Sequence, residues 1–182
     1  MTAIPQPKMT VDEYLAWAEG RPGRFELYAG VVYAMTPERA EHATVKFGVQ
    51  TALLSGIRRA GLPCHMLPDG MTVRVDDDTA HEPDALVYCG EKLPGSAIEV
   101  PNPVIVVEVL SPSTRRIDAS AKLAGYFRVP SVHHYLIVDP DRRLVIHHAR
   151  GEGDVIATRI VREGALRLDP PGLEVTVGEM FT

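Results

Sequence analysis

The apolar run PVIVVEVL, residues 103–110, constrains the fold more than any other segment of the chain. A strand with one solvent-exposed face alternates apolar and polar residues, whereas a strand covered on both faces is apolar almost throughout. The run therefore predicts a central strand. It carries one carboxylate, Glu108, and a buried carboxylate is costly unless a cation, a metal ion or several hydrogen-bond donors compensate it. This exception makes Glu108 the first candidate for a functional site.

Two further residues are candidate partners of Glu108. Asp84 follows Pro83 at the beginning of another apolar strand, which predicts a position at the end of the sheet. Two carboxylates on neighbouring strand ends repel each other unless a divalent ion lies between them, and Mg²⁺ favours such ligands. Lys122 lies on the helix expected after Glu108, and its amine could reach the same place. The alternatives are a turn role for Asp84 and, for Lys122, a surface pair with Asp118 four residues earlier.

The remaining pattern predicts helices and strands around this central strand. A short helix is expected over residues 10–19, capped by Thr10, and a strand pair turns at Ala29-Gly30. Thr36-Pro37 favours the start of a longer helix that ends at Ala60, and a second main helix is expected over 114–128. The buried stripe predicted for the longer helix consists of Ala43, Phe47, Leu54 and Ile57. The sum is an α+β fold, a mixed β-sheet flanked by helices.

Composition and length limit the kind of protein. With 182 residues, 45% apolar and 24% charged, the chain fits one globular domain over residues 1–182. It has no apolar run of the 18 or more residues needed to cross a bilayer, so we expect a cytoplasmic protein with no membrane partner. Cys64 and Cys89 stand alone without a CxxC motif, which favours a reducing compartment and argues against a thiolate metal cluster.

The candidate residues occur in segments that resemble the PD-(D/E)XK nuclease superfamily. More closely, the chain resembles a large bacterial family of restriction-endonuclease-like proteins. The resemblance is carried by HEPDALVY, with Asp84 in its PD element, and by VIVVEVLSPSTRRIDASAKLAGYF, with Glu108 as its acid. RFELYAGVVYAM, EHATV and HHYLIVDP add support. The superfamily places its lysine two residues after the acid, where this chain has Leu110. In the closer family the lysine lies on the following helix, where Lys122 stands.

This resemblance implies an activity, a cofactor and roles for individual residues. The implied activity is metal-dependent hydrolysis of DNA phosphodiester bonds by a restriction-endonuclease-like fold, acting as a homodimer. Asp84, Glu108 and the carbonyl of Val109 would hold Mg²⁺ or Mn²⁺, and Lys122 would be catalytic with them. Glu26, in FEL, matches the additional catalytic glutamate of the superfamily better than Glu41 does. Arg115 and Arg116, which follow the Glu108 strand in sequence, would contact the nucleic acid.

Other interpretations of the same sequence remain open. A net charge of −5 gives no general attraction to a polyanion, so a non-catalytic nucleic-acid-binding or regulatory module with this fold is the main alternative. A small-phosphoester hydrolase is a weaker one. Ser111 lacks the G-x-S-x-G setting of a nucleophile. Neighbouring histidines on a strand point to opposite faces, so at most one of His133-His134 and one of His147-His148 could join a metal site.

Overall fold

The structure is a computed structural model that describes residues 1–111 and 119–181, without the side chains of 119 and 120. Its helices are α1 (Val11–Ala18), α2 (Ala40–Ala60) and α3 (Ala119–Arg128), and a 3-10 helix (Val177–Phe181) comes last. The strands are β1 (Thr2–Ala3), β2 (Phe25–Tyr28), β3 (Val31–Ala34), β4 (Cys64–Pro68), β5 (Val73–Arg74), β6 (Ala80–His81), β7 (Ala85–Cys89), β8 (Pro103–Val109), β9 (His134–Asp139), β10 (Leu144–Arg150), β11 (Ile156–Val161), β12 (Ala165–Leu168) and β13 (Leu173–Thr176).

A six-stranded sheet in the order β11-β10-β9-β8-β7-β4 forms the centre of the molecule. β8 and β9 are parallel, and the other neighbours are antiparallel. β8 is central and mostly buried, as its apolar sequence predicted. Ile105, Val107 and Val109 pack with α2, whereas Val106 packs with Tyr126 of α3. Because side chains alternate along a strand, Glu108 lies on the α3 face.

A smaller sheet in the order β1-β3-β2-β6-β5 packs on α1, and β12 and β13 form a separate pair. Thr10 caps α1 and exchanges capping hydrogen bonds with Glu13, which confirms the predicted start of this helix. β2 and β3 turn at Ala29 and Gly30, both with positive φ, as expected for the two central residues of a tight hairpin. The mixed sheets flanked by helices confirm the α+β prediction. The described helices are all too short or too polar to span a bilayer.

The longer helix, α2, differs from the sequence prediction at its start and on its buried side. It begins at Ala40 rather than at Thr36-Pro37, and the side chain of its cap residue, Arg39, makes no capping hydrogen bond. Its end at Gly61, in the left-handed conformation, was predicted correctly. Phe47 is 69% exposed. Of the predicted stripe, Ile57 is buried, Leu54 is half-buried and Ala43 is exposed. The buried side is made by Val45, Val49, Ala52, Leu53 and Ile57 together with Gly48 and Gly56.

The two cysteines form a disulfide, so the expectation that both stand alone is wrong. Cys64 of β4 lies directly opposite Cys89 of β7, and their sulfur atoms are bonded. Sequence spacing did not indicate this pair because the contact arises from the pairing of two strands separated by 25 positions. The inference of a reducing compartment from unpaired cysteines therefore has no basis in this structure.

Candidate active site

Three of the predicted site residues meet at one edge of the central sheet. Asp84 directly precedes β7, and Glu108 is the penultimate residue of β8. Because β7 and β8 are antiparallel, the start of one lies beside the end of the other. Lys122 reaches the same edge from α3, with its Nζ 2.9 Å from Oε1 of Glu108. All three residues line one cavity of about 160 Å³.

Lys122 is held between two carboxylates. Its Nζ donates hydrogen bonds of 2.9 Å to Oε1 of Glu26 and 2.9 Å to Oε1 of Glu108. Glu26 also accepts a 2.9 Å hydrogen bond from the backbone N–H of Glu82. Burial alone would raise the pKa of Glu26, but the nearby charges of Lys122 and His81 bring its pKa below the usual value. Glu26 is fully enclosed and is not among the residues that line the cavity, so it holds Lys122 from behind.

The two carboxylate oxygens of Glu108 differ in their contacts. Its Oε1 accepts from Lys122 and, at 2.7 Å, from the hydroxyl of Tyr126. Within the described part of the chain, we find no donor to its Oε2. Burial raises the pKa of Glu108 to about 8; Lys122 opposes this, and the negative charges of Asp84 and Glu26 add to it. A second positive charge at this carboxylate would therefore be stabilising.

Asp84 is held in place by hydrogen bonds from Val109 and Gln50. Its Oδ2 accepts a 2.8 Å hydrogen bond from the N–H of Val109, and its carbonyl accepts one of 2.9 Å from Gln50. Its Oδ1 lies 3.6 Å from Nζ of Lys46, beyond hydrogen-bonding distance. Burial raises the pKa of Asp84 even though the Val109 N–H and the nearby cations favour the ionised form. Like Glu108, Asp84 is therefore a carboxylate with incomplete compensation.

His42 is a site residue that the sequence did not assign. Its Nε2 lies 2.8 Å from the carbonyl of Val109 and 3.7 Å from Oδ2 of Asp84. A carbonyl only accepts, so Nε2 carries the hydrogen in this contact. A carbonyl oxygen has a second lone pair, so Val109 retains the ligand capacity that the resemblance assigns to it. The side chain is only 13% exposed, so these contacts largely enclose it.

A further group of possible metal ligands overlaps the predicted one. Ligand atoms of Glu38, His42 and Asp84 all lie within 4.8 Å of one another. Glu38 also pairs with Lys46, whose Nζ contacts Asp69 at 2.7 Å. His42 and Lys46 are one turn apart on α2, and this i,i+4 spacing of polar residues on a packed helix was the signal available in the sequence.

The two arginines predicted to contact nucleic acid, Arg115 and Arg116, lie outside the described residues. Leu110, which occupies the position of the superfamily lysine, lines the cavity beside Ser111. Lys122 therefore supplies the amine from α3 that the strand does not carry. Among the described residues, the structure brings Asp84, Glu108 and Lys122 together. Their catalytic roles remain a prediction.

Comparison with known families gives a match over most of the chain. A family model described as "Uma2: Putative restriction endonuclease" matches residues 11–178. Two curated proteins of Synechocystis sp. (strain ATCC 27184 / PCC 6803 / Kazusa) are similar in sequence. "Uncharacterized protein slr1290" is 26% identical over 181 residues, which cover 98% of this chain and 94% of that protein. "Uncharacterized protein sll1609" is 24% identical over 160 residues, or 86% and 90%.

The fold has a counterpart among solved structures. The crystal structure of "a putative nuclease belonging to DUF820" from Anabaena variabilis ATCC 29413 superposes with a TM-score of 0.74. The alignment covers 95% of this chain and 97% of that one at 14% sequence identity. At this identity the likeness establishes a shared fold, and it agrees with the restriction-endonuclease-like architecture expected from the sequence.

Proposed function

The chain belongs to the Uma2 family of restriction-endonuclease-like proteins, and on that premise we propose that it is a metal-dependent endonuclease that hydrolyses phosphodiester bonds of DNA. One observation carries the proposal. Two incompletely compensated carboxylates, Asp84 and Glu108, line the same cavity as an amine, Lys122, which bonds to Glu108. Carboxylates can hold a metal ion that activates water, and a lysine in the same cavity can stabilise charge on a phosphate oxygen.

The donor set fits a divalent cation. Asp84 and Glu108 offer hard oxygen ligands, and both have pKa values raised by burial, so an added positive charge relieves their desolvation and mutual repulsion. The Val109 carbonyl, on the same strand as Glu108, would be the third ligand. A bound Mg²⁺ or Mn²⁺ would supply polarisation of the scissile phosphate and a lower pKa for a water ligand.

The protein's own residues would position the substrate and the attacking water. Lys122 has little freedom because Glu26 and Glu108 hold its Nζ from two sides. We assign to it the stabilisation of charge on a phosphate oxygen, or the orientation of the water, since an ammonium is a compact point charge. Glu26 has no access to the cavity lining, so its role is to position Lys122. His42 keeps the Val109 carbonyl oriented toward the site by donating to it.

Plasmid nicking over a Mn²⁺ and Mg²⁺ titration tests the proposal. The wild-type protein should convert supercoiled DNA to nicked circles only with metal. Asp84→Ala, Glu108→Ala and Lys122→Ala should each reduce the rate by about 100-fold or more, because each removes a charge from the reacting centre. An RNA of matched length, assayed in parallel, distinguishes the two nucleic acids.

Glu91→Ala is the matched control. Glu91 is an exposed carboxylate just past the far end of β7 from Asp84, so its removal should leave cleavage unchanged. Equal residual cleavage in the Asp84 and Glu108 variants would identify a contaminating nuclease and contradict the proposal. Direct Mn²⁺ binding by calorimetry, weakened in Asp84→Ala, gives a readout independent of cleavage.

A non-catalytic nucleic-acid-binding or regulatory module is the second candidate. It is favoured by one specific observation: Leu110, an apolar residue that lines the cavity, stands where the superfamily carries the lysine of its active-site strand. The same assays separate the two functions. DNA binding that weakens steeply with salt, without cleavage at any metal concentration, would support the module.

A further inference from the structure

β11 (Ile156–Val161) is one of the two outer strands of the central sheet, and one of its edges is unpaired within the described chain. It pairs with β10 through six successive residue pairs, from Val145↔Val161 to Arg150↔Ile156. No other strand of the described chain pairs with it. The outward N–H and C=O groups of such a strand are a template for another strand, and proteins usually block them with proline, lysine or a bulge. The sequence IATRIV has no proline or lysine, its one charged side chain, Arg159, contacts His147 of β10, and its pairing with β10 contains no bulge.

The open strand also exposes apolar side chains. Val155 is 61% exposed, Ile156 37% and Ile160 64%. Single exposed apolar residues are ordinary on a protein surface. Here three of them are concentrated at one sheet edge with unpaired backbone groups, a combination that favours burial against another strand.

The sequence of this edge is complementary to itself. Two copies that pair antiparallel about a two-fold axis perpendicular to the sheet must place one residue opposite its own copy. With Thr158 on the axis, Ile156 lies opposite Ile160 and Val155 opposite Val161. Asp154, in the turn before the strand, then comes level with Arg162, just after it. β-branched pairs, a central threonine pair and opposite charges are all favourable cross-strand combinations.

The neighbouring symmetric registers are unfavourable. With Arg159 on the axis, two arginines would face each other, and Ile156 would meet Arg162. With Ala157 on the axis, Asp154 would meet Ile160. Like charges directly opposite are destabilising, and an apolar partner leaves a charge uncompensated. The register centred on Thr158 is thus distinguished by both charge and apolar matching.

We propose that β11 pairs with β11 of a second copy of this chain, with Thr158 at the two-fold axis, and joins the two central sheets into one. A homodimer was implied by the family resemblance, but the resemblance did not indicate an interface. The inference concerns assembly alone and does not depend on the nuclease activity proposed above. It places the second copy at the opposite end of the strand order from β4 and three strands away from β8, so the cavity stays open.

A charge-swap series tests the interface, with the dissociation constant of the full chain measured by sedimentation velocity from about 1 to 100 µM. Asp154→Arg and Arg162→Asp should each raise the dissociation constant about 10-fold or more, because each places like charges at both ends of the two-fold interface. The double variant Asp154→Arg/Arg162→Asp should return it to within about 3-fold of the wild-type value. Both residues are exposed in the single chain, so the monomer fold should tolerate the changes.

Ile160→Lys provides a second, independent variant, since it places an ammonium opposite Ile156 and should give a monomer. Glu91→Arg is a charge reversal away from β11 and should have no effect. Far-UV circular dichroism checks that each variant is folded. A wild-type chain that stays monomeric at the highest concentration would overturn the proposal and leave the edge to a segment of another protein. A dimer that survives all of the β11 changes would overturn it in favour of a different interface.

Discussion

At the scale of single residues, the site is defined by one amine shared between two buried carboxylates. Lys122 neutralises one negative charge, while Glu26 and Glu108 together carry two when ionised. Breaking a buried ion pair by removing one partner leaves an uncompensated charge, which costs far more than the pair itself contributes. The lysine is therefore structural as well as a candidate for chemistry, and stability measurements are informative even without an assay of activity.

Lys122→Met should destabilise the fold strongly. The substitution keeps a long apolar side chain but removes the ammonium that pairs with Glu26 and Glu108. We therefore expect a loss of about 3–5 kcal/mol in the free energy of unfolding at pH 7.5. Urea denaturation followed by circular dichroism measures it. Lys92→Met, at an exposed position, is the control and should change stability by less than about 0.5 kcal/mol.

The double variant Lys122→Met/Glu26→Gln separates the charge effect from packing, because the pKa of Glu26 is lowered and this carboxylate is ionised at pH 7.5. If the loss comes from an unpaired carboxylate, neutralising Glu26 should recover part of it, whereas a packing defect would persist or grow. Additive losses in the double variant would contradict the account of the shared amine.

Tyr126→Phe isolates the hydroxyl that bonds to Glu108. The ring of Tyr126 is fully buried and would stay packed, but Oε1 of Glu108 would lose its 2.7 Å donor. We expect a loss of about 1–3 kcal/mol, the usual cost of removing one partner of a buried hydrogen bond. Thermal and urea unfolding measure it, and Tyr28→Phe, at a residue that is 45% exposed, serves as the control. Equal stability of wild type and Tyr126→Phe would show that Glu108 does not depend on this donor.

At the scale of elements, two glycines of α2 allow this helix to pack closely on the C-terminal part of the chain. A Cβ on Gly48 would lie 2.6 Å from the carbonyl oxygen of Met180, and one on Gly56 would lie 2.7 Å from Leu173 and 2.9 Å from the Glu174 carbonyl oxygen. The helix thus packs directly on backbone from the C-terminal segments. This close approach explains why the buried side runs through Val45, Val49 and the glycines rather than through Phe47.

The sequence predicted the central features of this fold and missed others for definable reasons. The burial of β8 and the meeting of Glu108 with Lys122 followed from an apolar run, one charge and a strand–helix connection, all of which are local. The side of α2 that is buried depends on what packs against it. Val45 and Phe47 belong to competing stripes of the same helical period, and periodicity alone does not choose between them.

Contacts made by distant segments were likewise invisible in local patterns. His42 contacts the Val109 carbonyl, and Cys64 bonds to Cys89, only because tertiary structure brings the elements together. The i,i+4 spacing of His42 and Lys46 places both side chains on one side of α2. It does not show that this side faces Asp84 and Val109.

Gly48→Ala should therefore destabilise the protein, although alanine is the better helix former by about 1 kcal/mol. The added methyl group would clash with a backbone carbonyl that has no rotamer to change, so we expect a net loss of about 1–3 kcal/mol. Chemical denaturation measures the sign directly. Ser55→Ala, at an exposed position of the same helix, should be neutral or slightly stabilising. A stabilising Gly48→Ala would show that α2 does not pack this closely on the Met180 backbone.

At the scale of the whole molecule, a chain of hydrogen bonds through two buried histidines joins β9, β10, β11 and the β12–β13 turn. Nε2 of His134 lies 2.9 Å from the Pro170 carbonyl, which can only accept. At the other end, Arg159 can only donate, so Nδ1 of His147, 3.3 Å away, accepts from it. The hydrogen of the His147 ring is then on Nε2, which donates to Nδ1 of His134 at 2.9 Å. Both rings are therefore neutral with one fixed tautomer each, and the chain is complete only in that state.

This arrangement predicts how stability depends on pH. Burial lowers the pKa of His134 and of His147 to about 4, and the positive charges of neighbouring His133, His148 and Arg159 add to this, while the Pro170 and Asp169 carbonyls and the Asp169 carboxylate oppose it. In the unfolded chain a histidine titrates near about 6.5. The unfolded state therefore binds more protons between these values, so the histidine contribution is complete above about pH 6.5 and is lost as the pH falls toward 4.

The test compares the pH dependence of two proteins, because other groups titrate in the same range. His81, whose pKa burial lowers to about 4, acts in the same direction, whereas Glu108, with its pKa raised to about 8, acts in the opposite one. His134→Gln removes one imidazole of the chain, so its free energy of unfolding should fall less steeply between pH 7.5 and 5, by roughly 2 kcal/mol over that interval. His65→Gln, which removes a histidine bonded only to the Gly90 carbonyl among the described residues, should keep the wild-type slope. Parallel curves for wild type and His134→Gln would mean that protonation does not break this chain of hydrogen bonds.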